Sequence, residues 1–116
     1  MNFTSSVDDG IMVFSLMETK LDTGNSGSLK TELTRALTEN RNHSGLILHL
    51  PEIENCDSSG LSVLLVANRL AVEKNSSFRI VAKSPKVLNL IKITRLDEVL
   101  IVAESVEKAK QQIKGF

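Results

Sequence analysis

The chain has no Trp, no Tyr, four Phe, one Cys and two Pro among its 116 residues. Too few rings are present to build a platform on which bases could stack. Cys56 cannot form an internal disulfide, which excludes a disulfide-stapled miniprotein and makes a reducing, cytoplasmic setting the expectation. No charge is in surplus, since 14 basic residues match 14 acidic ones. Nucleic-acid binders usually carry a basic excess, so direct DNA binding is not expected. No apolar run approaches the roughly 18 residues that a membrane span needs. The first ten residues include Asp8 and Asp9 and lack a basic start or apolar stretch, so no export signal is expected. His43 and His49 have no Cys or carboxylate set at ligand spacing, and neither a metal nor a cofactor is expected. Repeats, low-complexity tracts and long linkers are missing too, and residues 1–116 read as a single domain.

What is present is ordinary for a globular protein: 41% hydrophobic and 24% charged residues, which excludes a disordered regulator. The charge is unevenly spread. Residues 1–55 carry four basic and eight acidic side chains, and residues 56–116 carry ten and six. Two readings stand: a mixed surface, or two faces of opposite sign that orient the protein on a partner.

The hydrophobic pattern alternates between two periods. Residues 11–17, IMVFSLM, suit a strand, and residues 3–7 a weaker one, with Asp8-Asp9-Gly10 as the hairpin turn. Leu29, Leu33, Ala36 and Leu37 recur at helical spacing. Ser26 or Ser28 caps that helix, which ends near residues 40–42. Residues 45–50, GLILHL, read as a buried strand ending at Pro51. After a loop, residues 61–72 form a helix apolar around most of its circumference, hence buried on more than one side. Residues 78–82 give another strand. Ser84-Pro85 opens a helix with Val87, Leu88, Leu90 and Ile91 inward, because Ser can cap and Pro fits the first turn. Residues 99–102 make a short last strand, and Ser105 opens a final helix through Val106, Ala109 and Ile113. The order β-β-α-β-α-β-α-β-α predicts an α/β domain: a mixed, mostly parallel sheet of about four or five strands with about four helices.

Chemistry concentrates at Asn55-Cys56-Asp57-Ser58-Ser59-Gly60-Leu61, between a strand and the most apolar helix. Asp57 and Ser58 are both good N-cap residues, and one of them is expected to accept a bond from an orphan backbone N–H. A helix N-terminus also accommodates a phosphate, so a modified hydroxyl there adds charge without unfolding the helix. Gly60 would let another protein's backbone approach closely. A hydrolase nucleophile is disfavoured: the elbow G-x-S-x-G is absent, and His49 is the one nearby candidate base. Cys56 reads as a small core residue rather than a reactive thiol. Residues 24–31, GNSGSLKT, lack the Gly directly before Lys-Ser/Thr that a phosphate loop requires.

Around Asp57-Ser58-Ser59-Gly60-Leu61 the chain resembles a stand-alone STAS domain of the bacterial anti-sigma factor antagonist type. Leu21-Asp22-Thr23-Gly24-Asn25 resembles that family's segment before its first helix. Ser84-Pro85-Lys86-Val87 and Ile93-Thr94-Arg95-Leu96-Asp97-Glu98-Val99 resemble its third helix and exit, and Ser105-Val106-Glu107-Lys108-Ala109 its last helix. The D-S-S-G-L core is the specific part.

The resemblance implies a non-enzymatic partner switch. Such a protein binds an anti-sigma factor that is also a serine kinase and thereby frees a sigma factor. The kinase phosphorylates the loop serine, and a serine phosphatase restores it. By position the acceptor would be Ser59, with Ser58 as the fallback. Asp22, Asn25, Asp57, Ser58, Gly60 and Leu61 would form the docking surface. Ser62 and Cys56 depart mildly from the family pattern. Arg95 stands where Gly is frequent, so a positive φ there would be strained. An alternative is an unphosphorylated STAS scaffold or regulatory subunit of a transporter or larger signalling assembly. A nucleotide-binding module is a third reading, for which no phosphate-cradling loop is present.

Overall fold

Alternate residues of the central strands feed two separate cores. In a strand successive side chains point to opposite faces. Met12, Phe14, Leu16, Leu46, Leu48 and Leu50 therefore enter one apolar cluster, while Ile11, Val13 and Ile47 enter the other. A computed structural model describes residues 1–39 and 44–115 of the chain. Its elements are β1 (Phe3–Asp8), β2 (Ile11–Leu16), β3 (Lys20–Leu21), α1 (Ser26–Glu39), β4 (Gly45–Leu50), β5 (Asn55–Cys56), α2 (Ser58–Glu73), β6 (Ser77–Ala82), α3 (Pro85–Ile93), a 3-10 turn (Leu96–Glu98), β7 (Val102–Ala103) and α4 (Val106–Lys114).

Five strands form the main sheet in the order β1-β2-β4-β6-β7. β1 is antiparallel to β2, and the remaining pairs are parallel. The hairpin turns on Asp9 (φ 52°) and Gly10 (φ 76°), the two positive values that match a tight turn to the twist of the strands. One face of the sheet is covered by α1, α2 and α3, which contribute Leu29, Leu33, Leu37, Leu64, Ala67, Val87 and Ile91 to the larger core. The other face is covered by α4 through Ala109, with Val106 and Ile113 at its margin. The mixed α/β sheet expected from the alternating periods is the observed one.

Three local expectations need correction. The last strand is residues 102–103 rather than 99–102: Val99 and Ile101 are exposed, and the chain before them is spent on the 3-10 turn. Ser26 is the first helical residue of α1, and Ser28 lies inside the helix. The Asn25 carbonyl already accepts the Leu29 N–H at 3.0 Å. The far end of α1, placed at residues 40–42, lies outside the described residues. Ser84 does stand before Pro85 at the N-cap of α3, yet its hydroxyl makes no cap bond there. It donates to the Glu54 carbonyl at 3.4 Å.

The uneven charge is partly cancelled across the fold. Asp8 pairs with Lys110 at 3.1 Å, and Asp9 pairs with Lys114, so the β1–β2 turn is tied to α4. The Lys114 hydrogen bond holds the Asp9 carboxyl below its ordinary pKa. Both acids are largely exposed, so each pair stabilises little.

Candidate functional site

The site is assembled where the parallel strands end, the usual place for function in an open α/β sheet. A small parallel pair, β3 with β5, carries it: by resemblance residues 21–25 are expected as a strand-to-helix segment, and residues 55–56 as loop. The Thr19 carbonyl accepts the Glu54 N–H at 2.8 Å, and the Leu21 carbonyl accepts the Asp57 N–H at 3.2 Å. This ladder brings the segment before α1 against the segment before α2. The signal for it was faint: Leu21 and Cys56 are single apolar residues among polar neighbours, too short for any period to register.

Side-chain oxygens hold the N-terminus of α2 and the turn that leads into α1. Asp57 is the N-cap of α2 with extended backbone, and its Oδ1 accepts the Gly60 N–H at 3.0 Å. Of the two candidate caps, Asp57 therefore does the work and Ser58 does not. On the α1 side, Asp22 Oδ1 accepts the Gly24 N–H at 2.9 Å, while Asn25 Oδ1 accepts the Asp22 N–H at 3.0 Å. Asn25 Nδ2 donates to the Lys20 carbonyl at 2.7 Å. Asp22 and Asn25 are thus brought to the same end of the sheet as Asp57, with their inner atoms committed to shaping the turn. Asp22 and Asp57 line one shallow depression together with Lys20, Asn55 and Cys56.

The two serines differ in setting. Ser58 is exposed, and its hydroxyl has no hydrogen-bond partner among the described residues. Its carbonyl accepts the Ser62 hydroxyl at 3.0 Å. Ser59 is half-buried and lines a groove between α1 and α2 with Ser26, Gly27, Lys30, Ser62 and Val63. Lys30 lines the groove and Lys20 the depression; the sequence points to Lys30 only as part of the rejected phosphate loop, and to Lys20 not at all.

Gly60 and Leu61 are buried beneath this surface. The room at Gly60 therefore serves the chain itself rather than an approaching backbone. A β-carbon there would stand 2.6 Å from both the Leu21 carbonyl oxygen and Cys56 Sγ. Burial, then the Asp57 charge, pushes the Cys56 thiol up to about 11. His49 Nδ1 lies 3.0 Å from Ser15 Oγ on β2, so the hydrogen bond of the candidate base goes there and not to Ser58 or Ser59. Burial, then the Lys83 charge, lowers its pKa. Among the described residues no three or more His, Cys, Asp or Glu gather as a metal would require, and no helix is long and apolar enough to cross a membrane.

Comparison with known proteins bears on the fold that holds these residues. An anti-sigma factor antagonist from Mycobacterium paratuberculosis superposes with a TM-score of 0.83 at 21% identity, over 97% of this chain and 93% of that one. The anti-sigma factor antagonist SpoIIAA in its unphosphorylated form gives 0.79 at 19% identity, over 99% and 98%. The Bacillus cell fate determinant SpoIIAA in its phosphorylated form gives 0.69 at 18%, over 97% and 99%. At these identities the likeness establishes the fold. The family model of the STAS domain matches residues 2–109, and the chain belongs to the STAS domain family.

Proposed function

We propose that this chain is an anti-sigma factor antagonist whose docking is switched by phosphorylation at the N-terminus of α2. The observation that carries the reading is the division of labour between neighbours: Asp57 caps the helix, which leaves the exposed Ser58 hydroxyl without a structural duty. Modification of such a hydroxyl changes the surface and not the fold. The exposure order favours Ser58 as acceptor over Ser59, the reverse of the order that position in the motif suggested.

In this reading the unmodified protein binds an anti-sigma factor that is also a serine kinase, and a sigma factor is released in the cytoplasm. The kinase transfers the γ-phosphoryl of ATP to the serine Oγ, the hydroxyl proton is lost, and ADP leaves. A serine phosphatase hydrolyses the ester. The chain itself catalyses nothing in this cycle. A standard interface buries roughly 800 Å² per partner. A phosphate of about −1.5 to −2 charge set beside Asp57, at the centre of such an interface, adds repulsion and desolvation. A loss of about 2.7 kcal/mol weakens binding roughly a hundredfold, enough to reverse a competition.

The test is incubation with candidate anti-sigma factor kinases and ATP, followed by intact mass and peptide mapping. One added phosphate on the peptide containing residues 58–59, with loss of kinase binding, is the expected result. A protein that takes no phosphate from any such kinase would instead be a scaffold or a regulatory subunit of a larger assembly.

A further inference from the structure

A partner displaced by one phosphate on Ser58 must hold Ser58 well inside its footprint. A standard footprint of roughly 800 Å² is a disc of about 16 Å radius. The Asp57 loop alone cannot fill it, so neighbouring surface must be covered as well.

α2 supplies that surface. Residues four and seven positions on from Ser58 share its face of the helix. They are Ser62 and Leu65, and both are exposed. Ser62 is small, and its hydroxyl is turned back to the Ser58 carbonyl, so it leaves room for close approach. Leu65 is 37% exposed, a large apolar side chain on an outward helix face. At about 1.5 Å per residue it stands about 10 Å along the axis from Ser58, inside the disc.

The other exposed large apolar side chains among the described residues do not meet this requirement. Val72 is 62% exposed and on the same stripe, but about 21 Å from Ser58 by the same rise. Ile93 ends α3, and Val99 and Ile101 lie between α3 and β7 at the β7 edge of the sheet, so none of the three is on α2. Val7 pairs with Met12 near the start of β2, at the opposite end of the sheet. Met1 shares the Ser58 end but leads into edge strand β1, two strands away from β4.

We propose that Leu65 is the apolar anchor by which the kinase docks on α2, and that the kinase offers an apolar pocket about 10 Å from the group that meets the Ser58 hydroxyl. This rests on the functional reading above and extends it to a second contact point. The occupant is the kinase itself, because the protein that reads Ser58 is the one whose footprint must extend along α2.

Calorimetric titration of the full unmodified chain into the kinase identified by the phosphorylation assay tests it. Leu65→Ala and Leu65→Asp are compared with Val72→Asp, each checked by thermal melt. The expected result is a loss of about tenfold or more in affinity for Leu65→Asp, a smaller loss for Leu65→Ala, and a change within about twofold for Val72→Asp. Leu65 variants that bind as the parent does, while Ser58 phosphorylation still abolishes binding, would overturn the anchor and leave the functional reading standing. Equal losses at Leu65 and Val72 would overturn it as well. A chain that no kinase binds or phosphorylates would remove both.

Discussion

Gly60 lies so close to Leu21 that a β-carbon at position 60 would stand 2.6 Å from the Leu21 carbonyl oxygen. The first turn of α2 is thereby pressed onto the β3–β5 ladder, and the Asp57 cap is held level with the Asp22 turn. The glycine is needed for contact, since its φ is not in the left-handed region. Gly60→Ala should cost about 1–3 kcal/mol, the range for overpacking a closed site. The obstacle includes backbone, which cannot rotate away. A urea melt followed by far-UV circular dichroism reads the shift in midpoint. A variant as stable as the parent would mean that α2 does not rest on Leu21 in solution.

Arg95 is a second position where local geometry carries a cost. It has φ 60° and ψ 21° between α3 and the 3-10 turn, in the left-handed region. An L-residue there loses about 1–2 kcal/mol. Glycine relieves that strain but adds about 0.4–1 kcal/mol of unfolded-state entropy. The strain is the larger quantity, so Arg95→Gly should stabilise the protein by up to about 1 kcal/mol. A lowered urea midpoint for this variant would contradict the assignment.

The pH dependence of stability should carry a signature of His49. Burial disfavours its imidazolium in the folded chain, and Lys83 adds to the effect. The folded pKa is below the unfolded value of about 6.5. The unfolded state therefore binds the proton more readily, and stability is full above about pH 6.5 and falls as pH drops through the lowered folded value. His49→Gln should flatten the loss of stability between about pH 7 and pH 5. Parallel profiles for parent and variant would show that His49 titrates alike in both states.

The sequence was informative where a period had room to repeat. The six residues of β2 and of β4 form near-continuous apolar runs buried on both faces, and the sixteen of α2 repeat buried residues at helical spacing on one side. It was silent where only two residues pair. β3 and β5 have no pattern of their own, and they exist because the Thr19 and Leu21 carbonyls find donors across the gap. The residues of the site were legible as types: Asp57 reads as a cap and the serines as hydroxyls at a helix start. Which serine stands outward was not, because neighbouring helical positions lie about 100° apart, and the groove with α1 that takes up Ser59 is a tertiary feature. The same is true of Gly60, whose reason is the Leu21 carbonyl and not a visiting backbone.

That angular difference separates Ser58 and Ser59 in experiment. Ser58→Ala should abolish phosphate uptake from the kinase and keep binding, because Asp57 still caps α2. Ser59→Ala should still accept phosphate. Ser58→Asp places a charge of about −1 on the exposed side, less than the −1.5 to −2 of a phosphate, and should weaken kinase docking by about tenfold rather than a hundredfold. Ser59→Asp turns its charge into the groove that Lys30 also lines, where an opposite charge offsets it, and should weaken docking less than Ser58→Asp. Intact mass reads the phosphate and calorimetry reads the docking. If Ser59→Ala loses the phosphate while Ser58→Ala retains it, Ser59 is the acceptor. The kinase would then have to draw the first turn of α2 out of its groove, and phosphorylation would cost part of the α1–α2 contact as well as the docking surface.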